Sequence, residues 1–190
     1  MVQLQGDDGM RIHQHFSVVG FCNTYVIGDD ETKEALLIDP GHADIELIRL
    51  FEQHEYTIKA VLLTHRHSGH TEGLALLKKL YELTTYAYED PHHPIIPNEI
   101  LTIGPFEIFP YLVGGHSRDS VVYKIRDALF MGDALRPAGL GTTPTHRLAE
   151  HLRDELNRIF SSLDPQTLIF PGHGPPSTIQ SELLFNQRLR

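Results

Sequence analysis

The sequence predicts a mixed α/β (α+β) domain in which two sheets pack together with helices outside. Three observations carry that expectation. The order strands, helix, strand, helix runs through the chain twice. Several apolar runs are short and two-sided, as in strands buried on both faces. The 190 residues suit one domain, spanning 1–190, large enough to bury most of its apolar surface.

Segments 11–19 (RIHQHFSVV), 22–28 (CNTYVIG) and 34–39 (EALLID) are rich in β-formers and separated by glycine or by the polar DDETK turn, so they read as strands. Pro40-Gly41 stops the third. Helical spacing follows: Ile45, Ile48 and Phe51 share a stripe with Leu47 and Leu50 beside it, and Asp44 stands at the N-cap. Segment 58–63 reads as a buried strand. Leu74, Leu77, Leu80 and Tyr81 mark a second helix, and 84–88 a further strand. EDPHHPIIPNE (89–99) is a proline-punctuated loop. Strands resume at 100–103, 106–113, 120–126 and 128–131. GDALRPAGLGTTPT (132–145) is too rich in Gly, Pro and Thr for the interior of an element. Leu148, Leu152, Leu156, Ile159 and Leu163 then define an amphipathic helix. TLIF (167–170) is a closing strand, PGHGPP breaks it, and Ser177 with Gln180 suits a capping box for a last helix.

The charge balance, 16 Lys and Arg against 25 Asp and Glu for a formal −9, argues against nucleic acid as a partner, because phosphate binding needs a basic face. It points instead to a small-molecule substrate. No apolar stretch approaches the ~18 residues of a membrane span, so no membrane partner is expected. The N-terminal MVQLQGDDGM lacks the apolar core of a signal peptide, which makes a cytoplasmic location the expectation. Cys22 is the single cysteine, so no intramolecular disulfide forms, and it reads as a small buried apolar residue.

Thirteen histidines are roughly three times ordinary usage, and their placement is uneven. THRHSGH (64–70) crowds His65, His67 and His70 just past an apolar run. Imidazole binds divalent ions through a neutral ring nitrogen, carboxylates complete such sites, and an HxH pair on an extended loop lets two rings converge on one ion. Three more strand-to-loop breaks end in a candidate ligand: His116 in YLVGGHS, Asp133 in LFMGD and His173 in LIFPGHG. Loops at one end of a sheet sandwich bring such residues together from distant segments. His13, His15, His42, His54, His92, His93, His146 and His151 lack that context and read as packing, loop or surface residues, with His92-His93 the pair placed to line a pocket mouth.

In this order THRHSGH, the lone GGHS, MGD and FPGHG resemble the metallo-β-lactamase superfamily. The closing stretch FPGHGPPSTIQSELLFNQRL is similar in particular to its glyoxalase II-like hydrolase branch. The resemblance runs from near residue 15 to the end. It implies a four-layer αββα sandwich with a metal site along one edge of the sheets. It also implies that His65, His67 and His116 hold a first metal, that His70 and His173 belong to a second, and that Asp133 bridges them. The motif in that family is T-H-x-H-x-D-H, and Gly69 stands where the aspartate belongs. Loss of that ligand implies one tight ion and a second that is weak or absent, with zinc the expected metal and iron or manganese the other candidates. Glu72 and Asp119 are the available substitute carboxylates; both read more simply as a helix-start and a loop residue, and Arg118 as solvated.

The leading expectation is a metallohydrolase acting on a small ester-, thioester- or lactone-type substrate through a metal-activated water, with His70 and Asp133 placed to position it. True glyoxalase II carries an additional C-terminal helical region for glutathione, which does not follow FPGHGPP here, so that specific activity is not expected. Two alternatives stand beside it. One is a mononuclear iron dioxygenase of the persulfide dioxygenase type, using His65, His116 and Asp133. The other is a non-catalytic metal- or ligand-binding domain.

Overall fold

The computed structural model describes residues 9–190 together with the backbone of a short strand at Gln3–Gln5. The N-terminal stretch MVQLQGDDGM therefore lies largely outside the described residues. Two six-stranded sheets dominate. The first contains β1 (Gln3–Gln5), β2 (Met10–Phe16), β3 (Asn23–Asp29), β4 (Glu34–Ile38), β5 (Thr57–Leu62) and β6 (Thr84–Tyr86), side by side in that order. Between β4 and β5 runs α1 (Ile45–His54); α2 (Ser68–Thr71) and α3 (Leu74–Leu80) precede β6. The second sheet begins with β7 (Leu101–Ile103), β8 (Phe106–Leu112), β9 (Val121–Ile125) and β10 (Ala128–Gly132). A small hairpin of β11 (Leu135–Arg136) and β12 (Gly139–Leu140) follows, then α4 (His146–Ser161). Strands β13 (Leu168–Pro171) and β14 (Ser177–Thr178), α5 (Ile179–Phe185) and a 3-10 turn at Gln187–Leu189 complete the chain. The second sheet has the order β14-β13-β10-β9-β8-β7, with β10 and β13 parallel.

Period-two burial sorts each strand's side chains into two apolar layers. Ile12, Tyr25, Ile27, Leu36, Ile38 and Leu62 meet Ile108, Tyr123, Ile125, Phe130 and Phe170 between the sheets. Val26, Leu37 and Val61 point the other way, onto Leu47, Leu50 and Phe51 of α1 and Leu77 of α3. Val122, Leu129, Met131 and Ile169 likewise pack on Leu152, Leu156, Ile159 and Phe160 of α4. Helix, sheet, sheet, helix: the expected αββα sandwich is the observed one.

Several local expectations are corrected. Residues 17–19 are not strand but a turn in which buried Ser17 Oγ bonds to Val19 while Val18 and Val19 are exposed, Val18 by 74%. In α1, Asp44 caps as expected, accepting from Glu46 N and Leu47 N, a contact worth about 1 kcal/mol. Its buried face, however, is Leu47, Leu50 and Phe51, while Ile45 is 60% exposed. Thr178 rather than Ser177 caps α5, accepting from Ser181 N; the Ser177 hydroxyl donates to Glu182 instead. The segment 132–145, read as irregular, holds the β11–β12 hairpin. Among the described residues no helix is long and apolar enough to cross a membrane.

Candidate metal centre

Five of the polar groups of interest leave the C-terminal ends of strands, the edge where open α/β sheets gather ligands, while His67 and His70 lie at and within α2. Asp39 follows β4, His65 follows β5, His116 follows β8, Asp133 follows β10 and His173 follows β13. The six residues singled out in the sequence come together there. His65, His67 and His116 form one cluster of potential ligand atoms, and His70, Asp133 and His173 another, with all atoms of a cluster within 4.8 Å of one another. A third, Asp39, His65 and His70, shares members with both.

Four of the five imidazoles, His65, His70, His116 and His173, are turned by a partner on the far nitrogen. His116 Nδ1 donates to the Thr142 carbonyl at 2.7 Å, and His173 Nδ1 to the Phe21 carbonyl at 2.7 Å. His70 Nδ1 donates to Asp39 Oδ2 at 3.0 Å. The Thr64 hydroxyl donates to the same carboxylate at 2.5 Å, leaving its oxygen to accept from His65 Nδ1 at 3.1 Å. In this tautomer His65 Nε2 carries a lone pair, and it is buried without a partner. Such outer contacts fix tautomer and ring orientation in metal-ligating histidines. His116 Nε2 approaches His67 Nδ1 at 3.0 Å. Asp133 Oδ1 lies 3.2 Å from His70 Nε2 and 3.3 Å from His173 Nε2, yet neither approach has hydrogen-bonding geometry. Lone-pair atoms aimed at common points, with an orphaned buried nitrogen and oxygen among them, suit a divalent ion of the zinc type.

The electrostatics follow from burial and neighbours. Burial pushes His65 down to about 4, which keeps its ring neutral, the ligating form. Burial also lowers His116. Burial opposes charge on His70, but the carboxylates of Asp39 and Asp133 override it and raise the group to about 10. His173 is raised by its contact with Asp133. Asp133 is buried, yet His173 and His70 hold its carboxyl well below the usual range. The His70 ring is thus flanked by a carboxylate at each nitrogen, Asp39 at 3.0 Å and Asp133 at 3.2 Å.

Gly69 leaves a real gap. A Cβ built there meets nothing within 4 Å, and its carbonyl accepts from Cys22 Sγ at 2.7 Å. Neither substitute carboxylate fills it: Glu72 is exposed and outside every cluster, and Asp119 accepts from Arg66 N at 3.0 Å. Arg118 is 86% exposed and pairs with Glu89. Of the other histidines, His13 packs against His54 and Tyr56, while His92 and His93 are exposed on their loop. Two groups at the centre escaped the sequence reading. Asp39 orients His70, and Arg136 donates to Asp133 Oδ2 at 3.1 Å. The turn at 16–21 also borders the centre, since a Cβ on Gly20 would lie 3.5 Å from Gly69 Cα; Phe16, Val18, Val19 and Phe21 are all exposed on it.

Residues 17–114 match the family model of the metallo-beta-lactamase superfamily. A probable hydroxyacylglutathione hydrolase of Schizosaccharomyces pombe is 32% identical over 160 residues, 78% of this chain and 62% of its own length. The chain thus spans less than two thirds of that relative. Among solved structures, the B3 metallo-beta-lactamase BLEG-1 superposes with a TM-score of 0.84 at 26% identity, covering 94% of this chain and 99% of that one. ETHE1 from Myxococcus xanthus gives a TM-score of 0.81 at 28% identity, covering 94% and 84%. The chain belongs to the metallo-beta-lactamase superfamily, in the branch that resembles glyoxalase II.

Proposed function

We propose that this chain, as a single domain over 1–190, is a metal-dependent hydrolase that cleaves a small acyl substrate, with a thioester the first class to test. The observation that carries the reading is the inward set of His and Asp atoms, with the far nitrogens of His65, His70, His116 and His173 already occupied by hydroxyl, carboxylate or carbonyl. The likeness to a hydroxyacylglutathione hydrolase supports an acyl-sulfur substrate. A bound divalent ion, zinc foremost, supplies a Lewis acid for the carbonyl and an acidified water. In this reading His65, His67 and His116 hold the tight ion, and His70 and His173 face a second position through Asp133. His70 Nε2 and Asp133 Oδ1, side by side at 3.2 Å, would both face the attacking water. Asp39 keeps His70 aligned, and the exposed apolar turn at 16–21 receives the acyl portion.

The test is hydrolysis of an S-acylglutathione, an aryl ester and a lactone by zinc-loaded protein, followed by loss of the acyl bond. Turnover should vanish with chelator, return with zinc, and fall by ~100-fold or more in Asp133→Asn, in line with loss of a group acting at the reacting atoms. No turnover across that panel sinks the reading. The likeness to ETHE1 gives the iron oxygenase alternative its observation, and iron with oxygen uptake in place of zinc would favour it.

A further inference from the structure

Among the groups at the centre, Arg136 has no part in holding or turning an imidazole. It lies on β11 next to buried Leu135, so strand alternation sends its side chain to the opposite face. There its Nη2 donates to Asp133 Oδ2 at 3.1 Å, while its Nε is buried without a hydrogen-bond partner. The β11–β12 hairpin fixes that position: Arg136 pairs with Gly139, and the returning strand leads to Thr142, whose carbonyl orients His116.

We propose that Arg136 is the built-in cation of this centre, and that with Gly69 it restricts the centre to a single divalent ion. The proposal rests on the metal reading above. Charge balance argues for it. Ligating imidazoles are neutral, so carboxylates must offset the ions. Among the described residues of the three clusters those are Asp39 and Asp133. Asp39 is occupied by Thr64 N, the Thr64 hydroxyl and His70. Asp133 alone remains, and Arg136 is already on one of its oxygens. Two adjacent dications repel about four times as strongly as two unit charges at the same distance. A carboxylate at residue 69 would relieve that repulsion, and the space for one is open. Arg136 increases it instead, providing beside Asp133 the positive charge that a second ion would otherwise bring.

The experiment is zinc titration of the metal-stripped protein against a competing chelator, with elemental analysis of the product and circular dichroism to check folding. Wild type, Arg136→Met, Arg136→Lys, Gly69→Asp and the double variant G69D/R136M are compared. Wild type and R136K should take one zinc per chain. R136M should bind a second ion about ten-fold or more tightly than wild type, the scale on which groups behind metal ligands act. G69D alone should hold its second ion more weakly than G69D/R136M, which should take two. Retention of the one-ion state by R136K separates charge from mere packing. Two ions on wild type overturn the proposal, as does equal second-ion affinity with and without Arg136. If R136M does not fold, tight binding of two ions by G69D alone overturns it equally. No ion on any variant sinks the metal reading itself, an outcome distinct from the others.

Discussion

His13 has no exposed surface, and burial holds its ring neutral down to about pH 4, against 6.5 in the unfolded chain. The sign follows directly: between those values the unfolded state binds the extra proton, so stability is intact above pH 6.5 and falls as the pH drops toward 4. The limiting loss is about 3 kcal/mol, or less where the surroundings relax. Urea unfolding of chelated wild type and His13→Gln at pH 7 and pH 5 checks this. The variant should be less acid-sensitive than wild type, and equal pH slopes would refute the assignment. His13 was legible as a packing residue because nothing around it broke a strand. Asp39 was legible too, and was missed. It ends EALLID just as Asp133 ends LFMGD, and the rule that picked Asp133, a ligand type just past an apolar run, applies equally to it. Arg136 was not legible: its meaning comes from a two-residue strand that turns it onto Asp133.

Elements aim the ligands through their last residues, and two glycines show how little room those strand ends leave. Gly132, at φ +49, would place a Cβ 2.2 Å from Thr64 Oγ1 and 2.7 Å from Thr64 Cβ. Gly132→Ala combines a left-handed backbone with an overpacked contact, so it should cost about 2–3 kcal/mol in urea unfolding. Gly172 acts on the site more directly: a Cβ there would stand 2.8 Å from both Asp133 Oδ1 and His70 Cε1. Gly172→Ala should weaken zinc binding by about ten-fold or more, read by chelator competition, and unchanged affinity would mean that this approach does not position Asp133. The periodicity of α4 and the apolar runs of the central strands were plain in the sequence because burial on fixed faces imposes a period. The β11–β12 hairpin was not. Two-residue strands carry no period, and this hairpin is held by partners beyond its two strands: Leu135 packs in the apolar layer under α4, Gly141 N bonds to Ala134 O and Asn186 Nδ2 donates to the Gly139 carbonyl.

The whole molecule places its centre across the two sheets, and this gives a bound ion a mechanical role. His65 and His67 hang from the first sheet, while His116, Asp133 and His173 hang from the second. Further contacts cross the same edge: Asn23 Nδ2 donates to the Pro171 carbonyl at 2.9 Å, the Tyr123 hydroxyl to the Leu63 carbonyl at 2.6 Å, and Val121 N to the Thr64 carbonyl at 2.8 Å. The sheets also share one apolar layer, so they should unfold together with or without metal. The ion adds stability by binding the folded edge and not the separated loops. At free zinc about 100 times the dissociation constant that linkage is worth about 2.7 kcal/mol. A domain of this size shifts by roughly 2–4 °C per kcal/mol, so chelation should lower Tm by about 5–10 °C while leaving one transition. Calorimetry of zinc-loaded and chelated protein reads both quantities. A lower Tm with a single peak means that the ion spans an edge the apolar layer has already joined. Two peaks on chelation would mean that the ion, not the shared layer, couples the sheets, and an unchanged Tm would mean that it does not bridge them at all.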